Sequence, residues 1–503
     1  MQKASLILDK DFTVARIDPR LYGSFAEHLG RCIYGGIYDP THPKADEQGF
    51  RKDVIDLIRE LDVPIIRYPG GNFVSGFNWE DSVGPRNLRP NRLDLAWRKL
   101  EPNDVGLHEF YDWCEKVGSE LMYSVNLGTR GSEAARDIVE YANHKGGSKF
   151  SDMRIANGRK DPFGIKLWCL GNEMDGAWQM ETKTAYEYGR RANEAAKMMK
   201  WVDPSIKLIT CGSSNCDMPT FGDWELTVLN ECYENVDYIS LHRYYANPDN
   251  DAESFLASTA DLEDFIHSVV SMCDAVKGKK HSKKQLHLSF DEWNVYYHNN
   301  INGRNAYLKE QVRWQQEVPL LEDVYNFEDA LLAGCVLNTF LRHADRVHIA
   351  CLAQMVNAIA PILTAKNGPA WKQTIYYPIQ LTSRYGRGTS LMPILSSPLY
   401  ESRRFGDVPM VDTAAVLRDD GTLALFVVNR SLTEDLELDV DLRAFGDLKL
   451  IDHVMLTHTD LKAVNTEANP NNVAPVKGNG GVVDGGKFTA KLNKLTWNMY
   501  LLG

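Results

Sequence analysis

The sequence predicts an α/β protein: a (β/α)8 TIM barrel followed by an all-β sandwich, jelly-roll-like, that the N-terminal strand completes. Three observations carry this. From about residue 20, short apolar runs of strand character alternate with longer stretches of helical period, the pattern of βα units around a parallel sheet. Eight such runs precede residue 380, the number that closes a barrel. After Ser383 the chain turns to short strands divided by turn signals such as Asp419-Asp420-Gly421, the texture of a sandwich.

Residues 5–8 and 12–17 read as one or two short strands. A strand standing alone before a barrel needs a sheet to join, so residues 1–17 are expected to pair with the C-terminal module. The barrel strands are expected at 21–27, 64–69, 121–127, 165–173, 207–212, 236–244, 286–294 and 347–354, with Gly23 and Ser24 diluting the first. Between them, Val54, Leu57, Ile58 and Leu61 form one apolar stripe at i, i+3, i+4 and i+7, and Leu262, Phe265, Ile266 and Val269 repeat it. Phe327–Arg342 is long and largely apolar, as a helix packed between neighbours is. The barrel is thus assigned to 18–380 and the sandwich to 1–17 together with 381–503. The sandwich strands fall near 413–417, 423–428, 436–442, 448–451 and 497–502, and 465–486, rich in Asn, Pro and Gly, reads as a long loop. An open doubly wound sheet is the alternative, but no Gly-x-Gly-x-x-Gly follows the first strand to support a dinucleotide site.

The net charge of −12 argues against nucleic acid or an anionic membrane as the main partner. The first ten residues hold only a three-residue apolar run, shorter than a signal peptide needs, and no stretch approaches the roughly 18 apolar residues of a membrane span. Nine scattered cysteines, an odd number, read as reduced thiols of a cytoplasmic protein. Cys211 and Cys216 have no second close pair, so no zinc site is expected. The sequon Asn429-Arg430-Ser431 has no meaning without secretion.

In such a barrel the reacting groups gather at the C-terminal ends of the strands. The polar residues expected there include Glu27, His28, Arg67, Asn72, Asn126, Asn172, Glu173, Ser213, Ser214, His242, Tyr244, Asp291, Glu292 and Gln354. They show no metal-ligand spacing, nucleophile elbow or phosphate loop. Amides, carboxylates and tyrosines are suited to sugar hydroxyls. The run Leu167-Trp-Cys-Leu-Gly-Asn-Glu173 is apolar until its last residues, and Leu286-His-Leu-Ser-Phe-Asp-Glu292 repeats the design. Two carboxylates at the ends of two strands are what glycoside hydrolysis uses, about 5–5.5 Å apart when the anomeric configuration is retained. Glu173 is read as the general acid/base. A lone Glu there serves equally as a helix cap or a mouth salt bridge, and the neighbouring amide of Asn172 tips the reading. Glu292 is read as the nucleophile, with Arg67 and His242 supporting it. Pro69-Gly70-Gly71 makes a tight turn whose backbone approaches the cleft closely and delivers Asn72. His28, His108 and His298 are read as structural.

Four motifs make the pattern specific: Gly23-Ser-Phe-Ala-Glu27-His28, Arg67-Tyr-Pro-Gly-Gly-Asn72, Leu170-Gly-Asn-Glu173-Met-Asp-Gly176-Ala-Trp178-Gln179 and Phe290-Asp-Glu292-Trp-Asn294. Together they resemble the α-L-arabinofuranosidases of glycoside hydrolase family 51 over nearly the whole chain. The resemblance implies a retaining mechanism without metal or cofactor, through a covalent arabinosyl-enzyme. It places the acid/base on Glu173 and the nucleophile on Glu292. It implies sugar contacts from Glu27, Asn72, Asn172, Tyr244 and Gln354, with Trp97 and Tyr296 beside them. Some members carry Trp where this chain has Tyr296, a difference that bears on leaving-group contacts and linkage preference. The expected activity is removal of terminal α-L-arabinofuranosyl residues from arabinan, arabinoxylan and their oligosaccharides. The alternatives are a β-xylosidase or endo-glucanase on the same barrel and a sugar-binding protein without catalysis, which two intact glutamates disfavour. The resemblance further implies a homo-oligomer, often a hexamer.

Overall fold

The computed structural model describes residues 1–297 and 314–503, and His298 lies outside them. Eight parallel strands close into a barrel: Gly23–Phe25, Ile65–Tyr68, Glu120–Val125, Leu167–Leu170, Lys207–Cys211, Tyr238–Tyr245, His287–Val295 and Val347–Ala353. They pair in chain order, and the eighth returns to the first through Cys351↔Gly23 and Ala353↔Phe25. Closure decides against the open sheet. The first strand is short because it is built around a close contact. A Cβ at Gly23 would stand 2.7 Å from Ile65 Cγ2, so the residue that weakens the strand by propensity is the one the packing requires.

Alternation along the strands sorts the barrel interior into layers. Phe25, Ile65, Met122, Leu167, Cys169, Ile209, Ile349 and Cys351 form an apolar plug. Two residues further along the same strands stand Glu27 and Arg67, and Ser240, His242 and Tyr244 follow Tyr238. The polar site is therefore laid directly on a packed floor.

The helix Lys52–Leu61 buries Val54, Ile55, Ile58 and Leu61, so its stripe is turned slightly and Leu57 is only half-buried. Thr259–Lys279 buries Leu262, Phe265, Ile266 and Val269 as their spacing predicts. Phe327–Arg342 is buried along nearly its whole length. It starts at Asn326, whose side chain accepts from Asp329 N while Asp329 accepts from Asn326 N, a reciprocal cap. It lies between the barrel and the sandwich, where Trp497 covers Gly334 so closely that a Cβ would come within 2.3 Å of the indole.

The sandwich consists of a five-stranded and a seven-stranded sheet. Gln2–Ile7 lies inside the first, parallel to Leu436–Asp441 and antiparallel to Ile394–Ser396. Thr13–Arg16 joins the second beside Thr389–Leu391. Ala4 and Leu6 point inward to Leu425, Val427, Leu438 and Tyr500, while Lys3 and Ser5 face out. The N-terminal segment therefore completes both sheets. The region 465–486, expected as loop, carries two edge strands, Val476–Lys477 and Val482–Asp484. Two and three residues interrupted by glycines are too short to show as a periodic run. The nine cysteines are free thiols, buried except for half-buried Cys216. Among the described residues no helix is long and apolar enough to cross a membrane.

Candidate active site

Glu27 follows the first barrel strand and is almost wholly buried. Its Oε1 accepts from Phe73 N at 2.8 Å and from the Trp97 indole at 2.8 Å. Gln354 brackets it, with its side-chain oxygen accepting from Glu27 N at 3.1 Å and its amide nitrogen 3.4 Å from Oε2. The turn after the second strand presses its backbone against the same carboxylate. A Cβ at Gly71 would lie 2.4 Å from Glu27 Oε2, and Gly70 adopts φ 151°, so both positions need glycine. Burial, and then the charge of Glu292, push Glu27 up to about 8. Trp97 comes from a hairpin, Arg92–Asp94 with Lys99–Glu101. His28 is structural: its ring nitrogens meet Glu101 and Tyr68, each at 2.9 Å, and it stacks on Phe73, whose N–H holds Glu27. His108 binds the Tyr141 hydroxyl at 2.7 Å, away from the site.

Arg67 points inward from the second strand and is buried. One Nη donates to Glu292 Oε1 at 2.7 Å, the other to Asn172 Oδ1 at 2.7 Å, and Nε stands 3.4 Å from Asp291. Asn172 in turn donates to Asn72 at 3.3 Å. A single planar guanidinium thus registers the ends of three strands, a task that its fixed fork suits.

Glu173 sits where the fourth strand breaks, in the left-handed region at φ 45°, a conformation rare for a side-chain-bearing residue. Gly176 N closes the turn on Glu173 O at 2.9 Å. The half-buried carboxylate takes the Trp178 indole N–H on Oε2 at 2.7 Å and meets His242 Nδ1 at Oε1, 2.9 Å away. Glu292 is more buried. It accepts from the Tyr244 hydroxyl at 2.7 Å as well as from Arg67, and His242 Nδ1 stands 3.5 Å from it. His242, read from sequence as a support of Glu292, therefore lies nearer to Glu173. One carboxylate oxygen each of Glu173 and Glu292 and a ring nitrogen of His242 all lie within 4.8 Å of one another.

The seventh strand explains how so many polar groups converge. Ser289 pairs with Ser240 and Glu292 with His242, three steps on one strand against two on the other, and the same extra residue appears against the eighth strand between Phe290 and Trp293. Such a bulge turns a side chain that strict alternation would send outward. It lets the consecutive residues Asp291 and Glu292 both face the interior, with Asp291 the deeper.

Burial alone would lower the His242 imidazole, but Glu292, Asp291 and Glu173 around it push it up to about 10. For the Tyr244 phenol burial acts the other way and raises it, helped by Glu292. Among the described residues, two groups bring ligand-type atoms close enough for a metal ion: Glu173 with His242 and Glu292, and Glu263 with His267 and His343 outside the barrel. Neither shows as a sequence motif, because each is assembled from separate elements. In the first, the Arg67 guanidinium already supplies positive charge to Glu292, and in the second Arg342 donates to Glu263 at 2.7 Å.

Of the residues named from sequence, the fold brings Glu27, Arg67, Asn72, Asn172, Glu173, His242, Tyr244, Glu292, Gln354 and Trp97 into this one network. Tyr296 stands at its rim, edge-on to Tyr244 at 5.6 Å. Two contributors had no role from sequence. Trp178 was only a motif letter, and an aromatic five residues beyond a candidate acid was the available signal. Asp291 was one strand-end carboxylate among others.

Residues 57–261 match the Alpha-L-arabinofuranosidase 1 domain, and residues 291–496 the Alpha-L-arabinofuranosidase C-terminal domain. The chain is 56% identical, over 99% of both chains, to an intracellular exo-α-(1→5)-L-arabinofuranosidase of Halalkalibacterium halodurans. It is 50% identical to an exo-α-(1→6)-L-arabinofuranosidase of Bifidobacterium longum, over 94% of this chain and 92% of the other. A family 51 α-L-arabinofuranosidase of Bifidobacterium longum, of solved structure, superposes with a TM-score of 0.95 at 42% identity, covering 100% of both chains. On its barrel, its paired carboxylates and these relationships, the chain belongs to the α-L-arabinofuranosidases of glycoside hydrolase family 51.

Proposed function

We propose that the protein hydrolyses terminal non-reducing α-L-arabinofuranosides of arabinan, arabinoxylan and arabino-oligosaccharides, retaining configuration through a covalent glycosyl-enzyme. The observation that carries this is the approach of Glu173 and Glu292 to within 4.8 Å, oxygen to oxygen, each in a different hydrogen-bonding environment. Retaining enzymes need this close spacing, whereas inverting ones leave room for a water. Glu292, held by Arg67 and Tyr244, attacks C1 as the carboxylate. Glu173, at the solvent side beside Trp178, protonates the leaving oxygen and then takes a proton from the attacking water. Glu27, Asn72, Asn172, Tyr244 and Gln354 surround the space in front of Glu292 with donors and acceptors for sugar hydroxyls. Trp97 braces Glu27.

The relatives named for α-(1→5) and α-(1→6) linkages share the frame, so linkage choice is assigned to the rim, where Tyr296 and exposed Trp178 stand. Relatives named intracellular support a cytoplasmic location. A homo-oligomer is supported by apolar side chains left exposed at the sandwich edge, where Ile7 and Ile394 pair and Phe12 and Met392 lie close by.

The test compares p-nitrophenyl α-L-arabinofuranoside with the β-D-xylopyranoside and β-D-glucopyranoside. Strong preference for the arabinoside, with kcat reduced about 10⁴-fold or more in Glu292→Ala, is expected. Preference for a pyranoside overturns the substrate assignment.

A further inference from the structure

Asp291 lies beneath the two glutamates and touches no open space. Its oxygens meet four groups: His242 Nε2 at 3.2 Å, Arg67 Nε at 3.4 Å, the Ser240 hydroxyl in a short hydrogen bond, and the Cys169 thiol at 3.7 Å. Two of these are the cations that serve the glutamates above. A buried carboxylate between a guanidinium and an imidazole is an acceptor only, so the His242 nitrogen facing it must carry a hydrogen. The other nitrogen, Nδ1, faces Glu173 at 2.9 Å. One proton satisfies that contact whether it resides on Glu173 or on Nδ1.

We propose that Asp291 is the positioning residue that keeps a proton on His242 Nε2, so that His242 Nδ1 and Glu173 share the single proton that leaving-group departure requires. The inference rests on reading Glu173 as the acid/base. As the C1–O bond breaks and Glu292 bonds to C1, the pair's proton passes to the departing oxygen. In the second half, water bonds to C1, Glu292 leaves, and the water's proton returns to the pair. Atoms and charge balance in both halves.

The groups facing His242 come from three strands: Ser240 on its own, Asp291 and Glu292 from the seventh, and Glu173 at the end of the fourth, whose Cys169 thiol meets Asp291 from behind. Arg67 of the second strand is paired to both seventh-strand carboxylates. Burial works to raise Asp291, and Arg67, His242 and Ser240 hold it below the usual carboxylate range.

The variant is Asp291→Asn, which keeps the size. Its amide oxygen can face only one of the two cationic donors, so the other meets an NH2. Removing the anion lowers the pair's hold on its proton. The basic limb of the kcat/KM profile is expected to move down by about one pH unit or more. Substrates with poor leaving groups are expected to lose about 10²-fold in kcat, while activated aryl arabinosides lose much less. An unmoved basic limb in folded Asp291→Asn overturns the proposal, as does an equal loss on both substrate classes.

Glu173→Ala run alongside separates the two readings. If it too fails to discriminate between leaving groups, the acid/base assignment falls, and Asp291 with it. If Glu173→Ala discriminates and Asp291→Asn does not, only the present inference falls. Should Asp291→Asn not fold, neutron diffraction of the unmodified enzyme decides. Deuterium on Nε2 facing Asp291, with one more between Nδ1 and Glu173, supports the proposal, and a bare Nε2 overturns it.

Discussion

Single side chains in this site hold protonation states that water would not grant them. Glu27 is raised to about 8 in the folded protein, well above its value in the unfolded chain. Below the ordinary glutamate range both states carry the proton. Between there and about 8 the folded protein keeps a proton that the unfolded chain has released, so stability falls as pH rises through that window. Glu27→Gln keeps an oxygen for Phe73 N–H and Trp97 and abolishes the titration. It should melt higher than the parent at pH 8–9, with the gap closing towards pH 4–5, while kcat/KM drops by about 10-fold for a hydrogen bond to the sugar that the amide cannot reproduce. Calorimetry across pH and kinetics on an aryl arabinoside check the two halves. Glu173→Ala should slow aryl arabinosides with good leaving groups far less than those with poor ones, since a good leaving group needs little protonation. Equal losses in stopped assays would count against its assignment. Glu173 and Glu292 were legible in the sequence because each ends an apolar run. Asp291 was legible as a carboxylate only, since the partners that give it meaning lie on other strands.

The strands and turns decide where those side chains point. Gly71 presses on the Glu27 carboxylate, so Gly71→Ala must push either the turn or the glutamate aside. Overpacking of that kind costs about 1–3 kcal/mol. Misplacing Glu27 and Asn72 together should cut kcat/KM by about 10²-fold, which steady-state kinetics and a melting curve would register. All eight barrel strands could be read from sequence, seven because each is an apolar run ending in polar residues and the first, diluted by Gly23 and Ser24, from its place in the alternation. Two features could not. Strict alternation admits Asp291 or Glu292 to the interior, and the extra residue that admits both is a property of pairing with neighbours. The hairpin bearing Trp97 has no apolar run to mark it, since charged residues such as Asp94, Lys99 and Glu101 are ordinarily exposed. All three are buried, with Lys99 donating to Gly30 O at 2.7 Å and Glu101 holding His28 and Tyr34.

At the scale of the molecule, the barrel and sandwich share the buried helix Phe327–Arg342. Lys462 reaches across to buried Glu328, with Nζ 2.9 Å from both of its oxygens. Arg342 binds Asp412 and Thr413 O on the sandwich. Gly334→Ala would drive a methyl into Trp497 at this junction. It should lower Tm by a few degrees, at a cost of about 1–3 kcal/mol, while the active-site geometry stays intact and kcat near the parent value. Two separate transitions in the variant's calorimetric trace would mean that the junction had uncoupled the halves. The arrangement of the sandwich also sets a clock on biogenesis. Gln2–Ile7 finds its parallel partner in Leu436–Asp441, more than 400 residues later in the chain. At roughly 5–20 residues per second, a ribosome takes on the order of 20–90 s to deliver that partner. Until Ile394–Ser396 is made the nascent strand has both hydrogen-bonding edges open, and the barrel must be synthesised behind it. The folded yield is therefore expected to depend on translation speed and on whatever shields the unpaired strand in the meantime.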